Sequence, residues 1–208
     1  MELDTAILAA LERHTITRLI HFTPLVNLLG MLDCHAIMPM DRVRAYAAAH
    51  PESDLLDYIQ RNDRLRLDRR TDCINLSLQR TNAGLFRRFR NNLCNLMGVQ
   101  DLAWCVLELD PILCAHPGVN FTTTNAAANR AHWGQGIDGF EALFPSPTAP
   151  FPTCRQAETL YPGDIPLSAI RAICVKDEKA LRHFRFTVET EGGDPDNLPF
   201  QVNPEHFE

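Results

Sequence analysis

The chain has 208 residues, 45% hydrophobic and 22% charged, a globular mixture that excludes a wholly disordered chain and suits one domain with a sizeable core. No apolar run approaches the ~18 residues needed to cross a bilayer, and the acidic, charge-interrupted start MELDTAILAALERH does not read as a signal peptide. The net charge of −6 hides an asymmetry: residues 61–90 carry nine arginines against three acids, a net +6, so the remainder carries −12.

Arginine forks suit phosphates and stacked bases, and their clustering suggests a local polyanion surface on an acidic protein. The seven cysteines (34, 73, 94, 105, 114, 154, 174) are odd in number, with no CxxC pair and no Cys/His zinc spacing. Reduced thiols in a cytoplasmic protein without a structural metal are the expectation.

Residues 4–14 read as a short amphipathic helix and ITRLIHF (16–22) as a strand. Thr23 is expected to cap a helix that begins at Pro24 and carries Leu25, Leu28, Leu29 and Leu32 at helical spacing. Residues 39–70 read as a long surface connection, helical in parts. CINLSLQ (73–79) alternates as a half-buried strand. From Gly84 to Met97 the period becomes 3.6, and LAWCVLEL (102–109) reads as a buried strand stopped by Asp110-Pro111. Residues 117–151 read as irregular. Prolines 145, 147, 150 and 152 stiffen the approach to two further strands, RQAETLY (155–161) and AIRAICV (169–175). The fold class is α+β in a single domain over residues 1–187, and 188–208 reads as a polar, loosely held tail.

Three residues stand out chemically. His21 ends a strand just before a helix begins, a place that suits a phosphate or a ribose hydroxyl. On the helix at 84–97 a wheel of about 100° per residue centres the apolar face between Phe86 and Phe89. Arg87 and Arg88 then point outward, while Arg90 at the margin reaches toward a cleft. On an alternating strand Gln156, Glu158 and Leu160 share one side, so Gln156 and Glu158 face a cleft together.

Four segments in order resemble one family. They are LIHFTPLVNLLGML (19–32), DCINLSLQRTNAGLFRRFR (72–90), FTTTNAAANR (121–130) and TCRQAETLYPGDIPLSAIRAICV (153–175). Together they are similar to the DarT family of bacterial toxins that ADP-ribosylate DNA. The second segment resembles the guanine-modifying branch, with Thr81 in place of a proline and Leu85 in place of a methionine. The resemblance implies an ADP-ribosyltransferase-like fold with a central split mixed β-sheet flanked by helices. It implies NAD+ as co-substrate, with Glu158 and Arg90 catalytic and His21, Phe22, Thr23, Asn27 and Arg90 binding the cofactor. The proline-rich loop 145–154 would be a substrate-facing wall. Gln156, Arg155, Arg64, Arg66, Arg69 and Arg70 would meet the substrate, single-stranded DNA with guanine favoured. No metal is implied, and neither is a membrane. A toxin of this kind has a cognate antitoxin that removes ADP-ribose. The competing readings are the same fold acting on RNA or protein, and a non-catalytic nucleic-acid-binding module.

Overall fold

The computed structural model describes residues 2–51 and 67–208. Asp4 caps helix α1 (Thr5–Arg13), its carboxylate accepting from the Ala6 and Ile7 amides, and Ile7, Ala10 and Leu11 face the core. Strand β1 (Leu19–Pro24) leads into helix α2 (Leu25–Asp33). Thr23 is not the cap that the sequence suggests. Pro24 is still extended and pairs with Trp104, so the strand runs one residue further and Thr23 lies buried within it.

After β2 (Ala36–Ile37) and helix α3 (Met40–Ala49) comes β3 (Cys73–Leu78). Helix α4 (Ala83–Met97) is capped by Asn82, whose side chain accepts from the Leu85 amide at 3.2 Å, and it ends at left-handed Gly98. The remaining elements are β4 (Trp104–Leu109), β5 (Asn120–Thr122), β6 (Trp133–Gln135), α5 (Gly136–Glu141), β7 (Glu158–Pro162), β8 (Ile165–Pro166), β9 (Ile170–Val175), α6 (Glu178–Thr190) and β10 (Phe200–Val202).

Eight strands form one mixed sheet in the order β10-β9-β4-β1-β3-β7-β5-β6. All neighbours are antiparallel except β10 and β9. The sheet is split at its centre. β1 and β3 pair at Leu19–Leu78 and Ile20–Ser77, after which β1 follows β4 and β3 follows β7. One face buries Leu19, Leu76, Leu107 and Ile173 under α1, α2, α5 and α6, and the other buries Ile20, Val106 and Cys174 under Phe86 and Leu93 of α4. Each fully buried large apolar side chain contributes roughly 1.5–3 kcal/mol, so this two-sided burial fixes the position of the split.

Two segments differ from their sequence reading. Residues 117–151 hold a β5–β6 hairpin and α5. A Cβ on Gly139 would lie 2.4 Å from the carbonyl carbon of Gly134, so the hairpin and helix can touch only through glycines. The segment from 188 onward is packed rather than loose: α6 runs on to Thr190, β10 pairs with β9, and His206 is buried. Its backbone gains ladder partners that its polar composition does not advertise.

Candidate active site

A cavity of about 510 Å3 opens where β1 and β3 separate. His21, Phe22 and Thr23 line it from β1, Asn75 and Ser77 from β3, and Asn27 from α2. The His21 Nδ1 donates to the Asn75 carbonyl at 3.2 Å, so the imidazole bridges the two strands as they diverge. From α4 the lining takes Leu85, Arg88, Phe89, Asn92 and Leu96, which recur every three or four residues along one side. Phe22 packs on Phe86 at 4.9 Å and on Phe89 at 6.0 Å, with Trp104 at 6.3 Å, giving the cavity an aromatic flank.

Glu158 begins β7 opposite Ser77 and is 2% exposed. A buried carboxylate needs donors, and here three N–H groups converge on it. The Ala126 amide donates to Oε2 at 2.7 Å, the Asn125 side-chain amide to Oε1 at 3.2 Å, and the Asn75 amide makes a longer 3.5 Å contact with Oε2. The Asn125 Oδ1 accepts from the Ala127 amide at 3.1 Å, an Asx turn that aims its NH2 at the carboxylate. The Asn-Ala-Ala run at 125–127 therefore acts through its turn, a role that its composition does not announce.

His21, Phe22, Thr23, Asn27 and Glu158 come together at this cavity. Arg90 does not. Its guanidinium pairs with Asp101 at 3.1 Å, lies 5.8 Å from the Phe86 ring centroid, and is not among the cavity-lining residues, whereas Arg88 is. The reason is that α4 has two buried faces: Phe86 and Leu93 enter the second core, while Leu85, Phe89 and Asn92 face the cavity. A single averaged apolar face turns the wheel the wrong way.

Gln156 and Arg155 are exposed in a turn before β7 begins, so Gln156 does not alternate with Glu158 on one face. The loop 145–154 likewise contributes no residue to the cavity lining. Arg69 is exposed, and Arg70 is held by Asp72 at 2.9 Å and donates to the Cys73 thiol. The Arg70–Asp72 hydrogen bond raises the pKa of Arg70 and holds the Asp72 carboxyl below its ordinary value. Both flank Leu67 and Asp68, which do line the cavity. Arg64 and Arg66 lie outside the described residues.

The family model described as "ssDNA thymidine ADP-ribosyltransferase, DarT" matches residues 20–207. The chain belongs to the DarT family. DarT from Thermus sp. 2.9 in complex with NAD+ is similar to it at a TM-score of 0.61 and 14% identity, over 92% of this chain and 98% of that one. The same protein in complex with ADP-ribosylated ssDNA gives 0.61 and 15%, over 93% and 97%. DarTG from Thermosipho africanus in complex with ADP-ribose gives 0.57 and 18%, over 92% of this chain and 51% of that one. Among curated proteins none matches the chain significantly in sequence.

DarT membership places the chain among the ADP-ribosyltransferases and makes its split sheet the expected frame. The residues present fit NAD+, the ADP-ribose donor of this DarT reaction. Asn27 Oδ1 and Trp104 Nε1 are buried without a hydrogen-bond partner among the described residues, and both residues line the cavity. An unmatched acceptor and an unmatched donor beside aromatic rings suit a flat heterocycle with amide and hydroxyl groups. No helix among the described residues is long and apolar enough to cross a membrane.

Proposed function

We propose that the chain is an NAD+-dependent mono-ADP-ribosyltransferase that modifies a base in single-stranded DNA, with guanine as the favoured target and Glu158 as its catalytic carboxylate. The observation that carries this reading is the Glu158 carboxylate, buried and gripped by the Ala126 and Asn125 N–H groups on the cavity in the sheet's fork. ADP-ribose transfer breaks the bond between nicotinamide and its ribose, and positive charge grows on the ribose as it does so. A carboxylate already fixed in a water-poor site stabilises that charge without reorganising. His21, Phe22, Thr23 and Asn27 hold the donor, and Arg88 at the rim supplies the cation nearest to them on α4.

The acceptor nitrogen forms the new bond to the ribose carbon and gives up one proton, which Glu158 takes. Guanine presents an exocyclic amine for this step. The choice of guanine rests on residues 79–85, Gln-Arg-Thr-Asn-Ala-Gly-Leu, which lack the Pro-Arg-x-Pro-Met-type segment of the thymine branch. The matched family description names thymidine, so the base is the finer point of the reading. An unpaired strand spares the few kcal/mol that flipping a base from a duplex costs. We also propose a toxin role in a toxin–antitoxin or anti-phage pair, with an antitoxin that removes ADP-ribose.

The deciding experiment incubates purified protein and labelled NAD+ with single-stranded DNA, duplex DNA, RNA and protein acceptors, followed by mass spectrometry of the digested products. The expected result is an adduct on guanine in single-stranded DNA. An adduct on thymine moves the target to the other base, and labelling confined to RNA or protein overturns the DNA assignment.

A further inference from the structure

A second carboxylate stands on the cavity wall beside Glu158. Asp68 lines the fork from the turn before β3, half-buried. Its Oδ1 accepts from the Arg70 amide at 3.2 Å, closing an Asx turn. Its Oδ2 meets the Asn75 side-chain amide at 3.4 Å, and the same Asn75 nitrogen makes the 3.5 Å contact with Glu158 Oε2. One NH2 group thus stands between two carboxylates. Both contacts exceed the ~2.7–3.2 Å of a well-made N–H···O bond. The Asn75 carbonyl meanwhile accepts from His21 Nδ1, so this residue is fixed from its backbone as well as by its place in β3.

The turn that presents Asp68 is fastened on both sides. Arg69 sits in the left-handed region at φ 56°, uncommon for a residue other than glycine. The Arg70 carbonyl accepts from the Cys73 amide at 3.1 Å, and the Thr71 carbonyl accepts from the Asp41 amide at 3.0 Å, which joins the turn to the start of α3. Glu158 is aimed by a separate Asx turn, the one at Asn125. Two acids from independently held stretches of chain therefore reach one cavity. Gln156, which alternation would set beside Glu158, is exposed in the turn before β7. The acceptor that shares the cavity wall with Glu158 is Asp68.

From this arrangement we infer that Asp68 is the residue that selects guanine, accepting from its N1–H while Glu158 meets the neighbouring N2 amine. This rests on the proposed transfer to guanine and assigns the group that enforces it. An ionised carboxylate only accepts hydrogen bonds, so a pair of them favours a base edge with two donors side by side. Guanine alone among the four DNA bases carries that pattern on its Watson–Crick edge. Thymine sets its one N–H between two carbonyl oxygens. Cytosine and adenine set a ring-nitrogen acceptor next to their amine, so each brings a lone pair against a carboxylate. In the transfer step N2 forms the bond to the ribose carbon, and the bond to nicotinamide breaks with its electron pair leaving on nicotinamide. One N2 proton passes to Glu158, while the N1 proton stays on the base, held by Asp68. A wrong base leaves this acceptor without its donor, the kind of mismatch by which hydrogen-bonding sites discriminate most strongly.

The test measures single-turnover transfer to single-stranded oligonucleotides that carry one guanine or one 1-methylguanine. NAD+ binding is measured separately by calorimetry. Asp68→Asn keeps an oxygen for the Arg70 amide and turns an NH2 toward the base. It is expected to slow transfer to guanine by roughly tenfold to a hundredfold, the worth of a hydrogen bond to a charged group. Wild-type protein should prefer guanine over 1-methylguanine by at least ~10²-fold. Asp68→Ala removes the acceptor and makes room for the methyl group, so it should shrink that preference to less than about tenfold. NAD+ affinity stays at the wild-type value in both variants. Transfer to guanine at the wild-type rate by Asp68→Asn, or an unchanged preference in Asp68→Ala, overturns the assignment, as does a parallel loss of NAD+ affinity. Wild-type protein that labels thymine in place of guanine overturns the proposed target base, and the role of Asp68 with it, a result read before either variant is made.

Discussion

The Glu158 carboxylate is desolvated and matched by N–H donors from two separate stretches of chain, so its position is set before any substrate arrives. Glu158→Gln keeps the shape but turns an NH2 toward one of those donors. We expect base modification to fall by at least ~10²-fold, the scale of losing a preorganised electrostatic group, with stability reduced by only about 1–2 kcal/mol. Transfer assays alongside urea denaturation check both, and a Gln variant that still labels DNA at the wild-type rate would sink the mechanism. A second expectation separates two arginines on one helix. Arg88→Ala weakens NAD+ binding roughly tenfold, the worth of about one charge-assisted hydrogen bond, whereas Arg90→Ala leaves it unchanged because that side chain is engaged with Asp101. Calorimetry decides it, and equal effects would refute the placement of α4. At this scale the meeting of His21 and Glu158 at one cavity was legible through the segments 19–32 and 153–175 that carry them, although His21 lies within β1 and not at its end. The placement of Arg88 and Arg90 was not, because a wheel does not show that Arg88 lies on the cavity side of α4 while Arg90 turns to Asp101.

Among the elements, β10 and the last residues show most clearly why short polar segments elude a sequence. Three residues, Phe200–Val202, carry no measurable period, and their partner strand lies some twenty-five positions earlier. By contrast β3, β4 and β9 were readable because each runs six residues with an apolar face to bury. The C-terminal segment is fastened by His206, which meets Thr81 Oγ1 at 2.9 Å and Glu108 at 2.8 Å, while Phe207 packs on Phe86 at 5.6 Å. The Glu108 carboxyl is held below its ordinary value, first by the His206 hydrogen bond and next by the Arg18 guanidinium, against the opposing effect of burial. Since the folded state favours the ionised form, this contribution is fully present above the ordinary carboxylate pKa of about 4.3. It is lost as pH falls through the lower, folded value. His206→Ala should therefore cost about 1–3 kcal/mol at neutral pH, and the gap to wild type should close as the solution is acidified below about pH 4. Urea midpoints across pH measure it; a gap that widens on acidification would show that Glu108 is not the group responsible.

Across the whole molecule, the candidate site lies at a seam. Two antiparallel blocks, one carrying β1 with β4 and β9 and the other β3 with β7 and β5, meet over two residue pairs and then part, and the cavity occupies the gap. His21 reaches across it to Asn75. A ligand in the gap touches β1, β3, α2 and α4 at once, so it adds contacts between parts of the fold that join weakly there. NAD+ should therefore stabilise the native state by the ordinary linkage relation, about 2.7 kcal/mol at a hundred times its dissociation constant. For a chain of this length that is a rise in melting temperature of roughly 5–10 °C. The measurement belongs in the Glu158→Gln protein, which does not consume the ligand, with NAD+ titrated at low and high salt. Binding within a cavity of mostly apolar lining should leave most of the shift intact at high salt, whereas stabilisation by an oligonucleotide should fade steeply. A protein whose melting temperature is unmoved by saturating NAD+ would mean that the fork is not where the dinucleotide sits.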